Sequence, residues 1–133
     1  METAPHNPQK DERQAVKRFV DAAGVFQRTR TLRFTMMVGI GQVRLLVSVC
    51  DGRVDAIHAL ASLRPLTSWD FAVIAPVLSW KRFWEAVPEP GWHDVFALTR
   101  HNRMQIEGNL QPFMAHLQFV KDLLASPRRE QNA

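Results

Sequence analysis

One cysteine, five histidines and thirteen carboxylates are the side chains of this 133-residue chain that could carry out chemistry. Cys50 is the candidate nucleophile, but a cysteine nucleophile needs a base within hydrogen-bond reach, and nothing near Cys50 in the sequence supplies one. The chain has no Gly-x-Ser-x-Gly segment, and its carboxylates form no conspicuous pair. We therefore expect no catalytic residue, and we interpret Cys50, beside the Asp51-Gly52 turn, as a small passive side chain.

The histidines do not have the spacing of metal ligands. His93 and His101 are eight residues apart, which separates them by about 80° around a helix and by roughly two turns. The sequence has no His-x-His, no His-x-x-x-His and no second cysteine. Gly39-Ile40-Gly41 is a lone Gly-x-Gly between two predicted strands, so no helix follows it to hold a phosphate. The sequence predicts no metal site and no cofactor.

Composition is typical of one globular domain. Apolar residues make up 46% of the chain and charged residues 23%, and a chain of this length buries about two-thirds of its unfolded surface. The longest apolar run, residues 71–78, is far shorter than the roughly 20 residues of a membrane span, so we expect no stable membrane insertion. The N-terminus lacks a signal-peptide pattern, and a lone cysteine fits a reducing compartment. We expect a soluble cytoplasmic protein.

The net charge of +4 is concentrated in the first half of the chain. Residues 1–64 carry 10 basic and 6 acidic groups, whereas residues 65–133 carry 7 of each. Arg28, Arg30 and Arg33 form the densest basic cluster, but all four tryptophans lie in the neutral half. Nucleic-acid surfaces usually combine basic and aromatic side chains, so we interpret the cluster as a solvated face and expect no nucleic-acid partner.

The spacing of apolar residues along the chain predicts the helices and strands that position these side chains. Residues 11–23 repeat with a helical period. Three runs with a period of two follow, over residues 32–38, 43–50 and 54–58, and Asp51-Gly52 between the last two is a strong hairpin signal. Residues 69–74 and 103–107 indicate two further strands. The prediction is one domain over residues 10–126, with disordered tails at residues 1–9 and 127–133.

Most of the helical patterns lie in the second half. A helix beginning near Pro76 is predicted to turn one apolar arc inward. This arc contains Val77, Trp80, Phe83, Trp84 and Val87. A shorter helix is predicted to carry Trp92, Val95 and Phe96, and a last helix is predicted to begin after Asn109, which is a good N-cap. The fold class is therefore α/β, with a five-stranded mixed sheet, a three-strand meander plus two further strands, covered by helices. The alternative is a cone-shaped α+β barrel of the nuclear-transport-factor type, which normally has most of its helices before its long strands.

The last predicted helix is more apolar than packing requires. Leu110, Phe113, Met114, Leu117, Val120 and Leu124 cover an arc of about 120°, which is enough to pack against a core. Phe119 and Leu123 fall outside that arc, on the side that a surface helix would leave polar. Such an excess of apolar side chains indicates an apolar ligand cavity or a covered interface. A homodimer through Phe119 and Leu123 is one hypothesis.

The order of these elements resembles that of the sterol carrier protein type 2 family. The likeness rests on Asp51-Gly-Arg-Val54 in the hairpin, on Trp69-Asp-Phe-Ala-Val-Ile74 leading to Trp80, and above all on Met104-Gln-Ile-Glu-Gly-Asn-Leu110, where Asn109 replaces the usual Asp. It covers roughly residues 12–125. The resemblance implies an α/β sandwich whose helical side encloses a hydrophobic tunnel, and non-catalytic binding of fatty acids, acyl-coenzyme A, sterols or other lipids.

The leading functional hypothesis is therefore carriage of a lipid-like molecule by a protein that is not an enzyme. We expect the ligand between the sheet and the later helices, with the loop at Pro90-Gly91 and Trp92 as its gate. The predicted lining consists of Phe34, Met36, Trp80, Trp84, Trp92, Phe96, Met104, Met114 and Leu117. Two alternatives are an interaction module without a ligand and a small hydrolase or isomerase.

Overall fold

The structure, a computed structural model, describes residues 8–60 and 68–131. Five strands and six helices lie in this part of the chain. The strands and the first four helices follow the predicted order. The strands are β1 (Arg33–Ile40), β2 (Val43–Cys50), β3 (Arg53–Ala59), β4 (Phe71–Ala75) and β5 (Gln105–Gly108). The helices are α1 (Pro8–Val25), α2 (Val77–Phe83), α3 (Val95–Arg100), α4 (Leu110–Ala115), α5 (Leu117–Leu124) and α6 (Ser126–Gln131).

The five strands form one mixed sheet in the order β3-β2-β1-β4-β5. β1, β2 and β3 are the predicted antiparallel meander, β1 and β4 are parallel, and β5 pairs antiparallel with β4. The fold class predicted from the sequence is confirmed. One end of the sheet contains the first residues of β1, β3 and β4 and the last residues of β2 and β5. We call this the lower end, and it contains Arg33, Cys50, Arg53, Phe71 and Gly108.

The main core lies between one face of the sheet and the helices. Alternate residues of a strand point to opposite faces, and one set of alternating residues from β1, β2 and β4 is buried in this core. These strand residues are Phe34, Met36, Val38, Ile40, Leu45, Val47, Val49, Phe71, Val73 and Ala75. Apolar side chains from α1 to α5 pack against them. The hydrophobic effect thus fixes both the register of the strands and the face on which these helices lie.

Helix α1 extends beyond its predicted bounds at both ends. Its buried side is the predicted one and is formed by Ala15, Phe19, Ala22 and Ala23. The helix begins at Pro8, so it includes two residues of the predicted tail; residues 1–7 lie outside the described part of the chain.

At the other terminus, helix α6 continues to Gln131, although the sequence predicts a disordered tail from residue 127. Residues 132 and 133 lie outside the described residues.

Two helices of the second half are shorter than predicted. Helix α2 ends at Phe83, so Val87 is exposed and the prediction that it belongs to the inward arc was wrong. Pro88 restricts Val87 and has no N–H to donate to the Trp84 carbonyl, so a helix could not continue past this segment, but α2 already ends four residues before Val87. Helix α3 begins at Val95 with Asp94 as its N-cap, so Trp92 precedes the helix.

The last predicted helix is interrupted, which corrects the position of two residues. Asn109 is its N-cap as predicted, but the backbone of His116 has φ −117° and ψ 31°, and the chain divides there into α4 and α5. The helical wheel drawn through residues 110–124 therefore does not hold. Phe119 and Leu123, predicted to be surface residues available for a dimer, are 2% and 0% exposed and lie in the core.

The hairpin turn between β2 and β3 allows a test of the fold. Gly52 has φ +81°, and a Cβ atom there would collide with the backbone carbonyl of Arg28. We expect Gly52→Ala to lower the free energy of unfolding by more than about 2 kcal/mol, because a left-handed backbone and a backbone collision are both unfavourable. Urea denaturation measures this change.

Gly24 is the matched control for this substitution. It lies in the last turn of α1, and a Cβ atom there meets nothing within 4 Å. Gly24→Ala should leave stability unchanged or raise it by about 0.5–1 kcal/mol. Equal losses in the two variants would contradict the described turn.

Candidate functional site

The structure brings eight of the nine predicted lining residues into or against one apolar core. Phe34, Met36, Trp80, Trp84 and Met104 are buried in it, and Trp92, Phe96 and Leu117 pack against it while half-buried. Met114 is separate from this group. Its side chain is 55% exposed, on the outer side of α4, because the helix interruption at His116 turns Phe113 rather than Met114 inward.

A continuous row of six phenylalanine rings crosses this core. The centroid distances along the row are 6.1 Å from Phe96 to Phe113, 5.4 Å from Phe113 to Phe71 and 5.5 Å from Phe71 to Phe34. The row continues over 6.0 Å from Phe34 to Phe119 and 5.2 Å from Phe119 to Phe26. Most neighbouring rings meet edge to face, an arrangement that the quadrupole of the ring favours. We call this set the phenylalanine row.

The two buried tryptophans form a second aromatic group next to α1 and α2. The Trp80 and Trp84 rings lie 5.4 Å apart, and Phe19 stacks on Trp84 at 6.5 Å. Each indole N–H donates to a backbone carbonyl: Trp80 Nε1 to Gly39 O at 2.9 Å, and Trp84 Nε1 to Leu124 O at 2.8 Å. Because an unpaired buried N–H would be costly, these bonds hold both indoles in place and join α2 to the sheet and to α5.

The segment predicted to be a gate is held by cationic side chains. The Trp92 ring contacts two guanidinium groups, with the Cζ of Arg82 at 5.0 Å and that of Arg103 at 4.0 Å from its centroid. Cation–π contacts of this kind are each worth about 0.5–1 kcal/mol at exposed sites. Arg128 donates hydrogen bonds to Phe83 O and, at 3.4 Å, to His93 O, so it joins both ends of the segment to α6.

A charged pair fixes the start of α3. The Asp94 carboxylate accepts a hydrogen bond from Phe96 N at 3.1 Å and forms a 2.8 Å ion pair with Lys121 Nζ on α5. Burial acts to raise the pKa of Asp94, but the hydrogen bond and charge of Lys121 and the N–H groups of Phe96 and Ala97 outweigh it, so this pKa lies below its ordinary value. Lys121 Nζ also lies 4.8 Å from the Phe96 ring centroid, at the end of the phenylalanine row.

Three of the surface clefts of the described residues can be compared with the predicted lining. The first, of about 400 Å³, lies where β4 ends and β5 begins, and Met104 lines it together with Ala75 and Arg103. The second, of about 480 Å³, lies between α1 and α2 and includes Leu78 and Lys81. The third, of about 580 Å³, lies at the lower end and is polar. It is lined by Gln27, Arg28, Thr29, Asp51 and Arg53. Of the nine predicted lining residues, Met104 alone borders one of these three clefts.

The groups considered for chemistry are dispersed over the described residues. Cys50 is half-buried and accepts a hydrogen bond from Arg33 Nη2 at 3.4 Å. Among the residues that the structure describes, no three His, Cys, Asp or Glu side chains come together as metal ligands. Within residues 8–60 and 68–131, no helix is long and apolar enough to cross a membrane.

Comparison with known proteins identifies the fold. No protein-family model matches the chain, and no curated protein does. A solved structure named "UbiJ-SCP2 Ubiquinone synthesis protein" matches 96% of this chain and 98% of its own, with 15% sequence identity and a TM-score of 0.53. The chain has the SCP2 fold. The likeness to sterol carrier proteins predicted from the sequence is thus confirmed at the level of the fold.

A second SCP2-like structure is more distant. It is a solution structure of a conserved hypothetical protein from Thermus thermophilus, described as a candidate sterol carrier protein. It covers 92% of this chain and 84% of its own, with 12% identity and a TM-score of 0.46.

Sequence reasoning missed much of the phenylalanine row and the charges around it. Phe26 lies in an irregular loop outside any apolar period, and Phe71 belongs to the strand period of β4, which does not show that it lies next to Phe113 and Phe34. No pattern in the sequence assigns Arg82, Arg103 and Lys121 to the site, although Arg82 and Arg103 contact Trp92 and Lys121 contacts Phe96. The one signal in the sequence was the high number of phenylalanines, which is 8 in 133 residues.

The lowered pKa of Asp94 leads to a prediction about acid stability. Since the folded pKa lies below the ordinary value of 3.8, the unfolded chain binds more protons in acid. The stability contributed by ionised Asp94 is fully present above pH 3.8 and is lost as the pH falls through the folded pKa. Asn is also a good N-cap, so Asp94→Asn removes the charge and keeps the cap. We expect it to lower stability at pH 7 by less than about 1 kcal/mol, and the difference from the native chain to shrink below about pH 4.

Urea denaturation across this pH range measures the effect. The control is Asp21→Asn, which removes the carboxylate of the exposed ion pair between Lys17 and Asp21 on α1. A difference between Asp94→Asn and the native chain that stays constant from neutral to acidic pH would contradict the assignment.

Proposed function

We propose that this SCP2-like domain binds an apolar, lipid-like ligand without catalysing a reaction. Its ligand would be a fatty acid, an acyl-coenzyme A or a sterol-like molecule. The observation that carries the proposal is the phenylalanine row, a continuous apolar layer between the sheet and α3 to α5. Burial of an acyl chain contributes ~0.8 kcal/mol per methylene, so such a layer needs few polar anchors to bind one.

Helix α4 is the element that would cover the ligand. It is apolar on both sides, with Phe113 in the row and Leu110 and Met114 exposed at 47% and 55%. A helix of six residues that ends at the His116 interruption can move without disturbing the sheet ladders. We propose that the ligand enters by displacing Phe113 and that Phe96, Leu117 and Phe34 then contact it.

The name of the matched structure is consistent with this proposal. It associates that protein with ubiquinone synthesis, and ubiquinone is itself an apolar, lipid-soluble molecule. The dimer hypothesis receives no comparable support, because Phe119 and Leu123 belong to the core.

Native mass spectrometry of the protein purified from cells is the direct test. We expect an additional mass in the range of a lipid that disappears on denaturation. After delipidation, the protein should take up a fluorescent fatty acid. Delipidated protein that binds no such probe, together with a native mass equal to that of the chain alone, would contradict the proposal.

Substitutions within α3 locate the site. Phe96 is half-buried at the end of the row, whereas Leu98 is a fully buried aliphatic residue of the same helix and is not one of the rings of the row. We expect Phe96→Ala to weaken fatty-acid binding by about tenfold, which corresponds to about 1.4 kcal/mol of lost apolar contact. Leu98→Ala should cost about 2–5 kcal/mol of stability and leave the affinity of the folded protein unchanged. Fluorescence titration of both variants measures the affinities.

A further inference from the structure

The cleft where β4 ends and β5 begins is formed by four separate segments of the chain. The β1–β2 turn, the end of β4, the start of α2 and the connection from α3 to β5 meet around it. Its volume of about 400 Å³ lies at the small end of the range of ligand sites. We call it the β4–β5 cleft. It shares no residue with the phenylalanine row, so it is a separate site.

Apolar side chains contribute to the wall of the β4–β5 cleft. Ile74 and Val77 are half-buried, and Pro76 is exposed. Met104 is 2% exposed and belongs to the main core, so the cleft extends down to that core. A ligand in the cleft would therefore remove part of its apolar surface from water, and this burial favours binding.

Arg103 supplies the one charge among the residues that line the cleft. Its backbone N–H donates to Leu98 O at 2.8 Å, and its guanidinium lies 4.0 Å from the Trp92 ring centroid. A Cβ atom at Gly91 would lie 3.5 Å from Arg103 Nη1, so the guanidinium also lies against this loop. A stacked guanidinium keeps its N–H donors in its own plane, and these contacts fix where the donors lie.

The guanidinium of Arg103 lacks an acceptor. It is half-buried, yet within the described ranges it forms no ion pair and no side-chain hydrogen bond. Arg128, which is also half-buried, donates instead to the carbonyls of Phe83 and His93. A partly desolvated cation without an acceptor has lost hydrogen bonds to water, and an oxyanion in the cleft would replace them.

Carboxylates near the cleft do not neutralise Arg103. None of the lining residues is Asp or Glu. Glu12 lies against Gly41 from the side of α1, whereas Arg44 Nη1 donates to Gly41 O at 2.7 Å, so these two opposite charges oppose each other at that turn. Glu107 lies two residues after the start of β5, toward the lower end. Arg103 therefore determines the sign of the charge inside the cleft.

Three side-chain amides line the same cleft. Gln42, Asn102 and Gln105 are exposed, and their amide groups form no hydrogen bond with other residues of the described ranges. The backbone of Asn102 has φ +58°, and its N–H donates to Thr99 O at 3.2 Å. An amide N–H can donate to an oxyanion beside the guanidinium without adding charge.

We propose that the β4–β5 cleft binds a compact apolar carboxylic acid. The carboxylate would accept two hydrogen bonds from the guanidinium of Arg103, and the apolar body would lie against Ile74, Val77 and Met104. A carboxylate matches the single charge of Arg103, whereas a phosphate monoester carries about −1.5 to −2 at pH 7. The small volume of the cleft accommodates a compact ring better than a long acyl chain.

Titration of the isotope-labelled native chain with cyclohexanecarboxylate, followed by NMR chemical shifts, tests the site. We expect saturable shifts of the side-chain amides of Gln42, Asn102 and Gln105. Cyclohexanecarboxamide has the same shape without the charge, and it should bind at least about tenfold more weakly. Equal affinities for the acid and the amide, or no saturable shift, would overturn the proposal. Displacement of the acid by an equal concentration of inorganic phosphate would also overturn it.

Arg82 provides the matched control for Arg103. Its guanidinium contacts the same indole at 5.0 Å, but it does not line the cleft. Arg103→Gln should weaken binding of the acid by at least about tenfold, and Arg103→Lys, which keeps the charge without the planar fork, should weaken it less. Arg82→Gln should bind the acid within about twofold of the native chain, because an exposed charge is screened by salt. Equal losses in Arg103→Gln and Arg82→Gln would overturn the proposal, because they would reflect loosening of the Trp92 loop.

The apolar wall has its own pair of variants. Ile74→Ala should weaken binding of the acid and of the amide alike by about fivefold, because both lose apolar contact. Leu78→Ala is the control, since Leu78 is 60% exposed and lines the neighbouring cleft between α1 and α2. Unchanged binding in Ile74→Ala, or equal losses in the two variants, would overturn the proposal.

Binding in the β4–β5 cleft does not require a ligand in the core. Absence of a lipid mass in native spectra, with binding of cyclohexanecarboxylate intact, would contradict the proposed function and leave the cleft site standing. A retained lipid mass with no saturable binding of the acid would do the reverse.

Discussion

The interruption of the C-terminal helix at His116 is the constraint on which the rest of this site depends. An unbroken helix would keep Phe113 and Met114 near one side of its axis and leave Phe119 and Leu123 toward solvent. With the helix interrupted at His116, Phe119 instead lies between Phe26 and Phe34, and His116 itself stacks on Phe34 at 5.8 Å. Leu110 and Met114 are left exposed. Both the phenylalanine row and the apolar outer side of α4 follow from this one backbone feature.

The sequence predicts the sheet better than it predicts the helices. Alternation over β1 and β2 and the Asp51-Gly52 turn identify the meander, because a period of two and a left-handed turn are local properties of the chain. The fifth strand and the Asn109 cap are also local and were predicted correctly. The interruption at His116 could not be predicted, since residues 110–124 have a continuous apolar period and the stacking partner of His116 lies 82 residues earlier.

Electrostatic contacts explain why the candidate site differs from its prediction. Reasoning from the sequence placed Trp92 among apolar neighbours, with its loop as a gate. In the folded chain, Arg82 of α2 and Arg103 of the loop before β5 both contact the indole, and Arg128 attaches the adjoining backbone to α6. Successive members of these three arginines are 21 and 25 residues apart in sequence, so no local pattern brings them together. In this chain, arginine side chains stabilise the Trp92 loop of the SCP2 fold.

The strand order places β3 and β5 at the two edges of the sheet, where unpaired N–H and C=O groups could recruit a strand from another molecule. Neither edge is well suited to such pairing. β5 has only four residues and carries Glu107, and β3 carries Arg53 and Asp55, with a register shift opposite Ser48 and Val49. Short, charged and irregular edges oppose the extension of the sheet into aggregates. These edge strands therefore protect a chain with a very apolar interior from aggregation through its sheet. An exposed, regular edge would favour such aggregation.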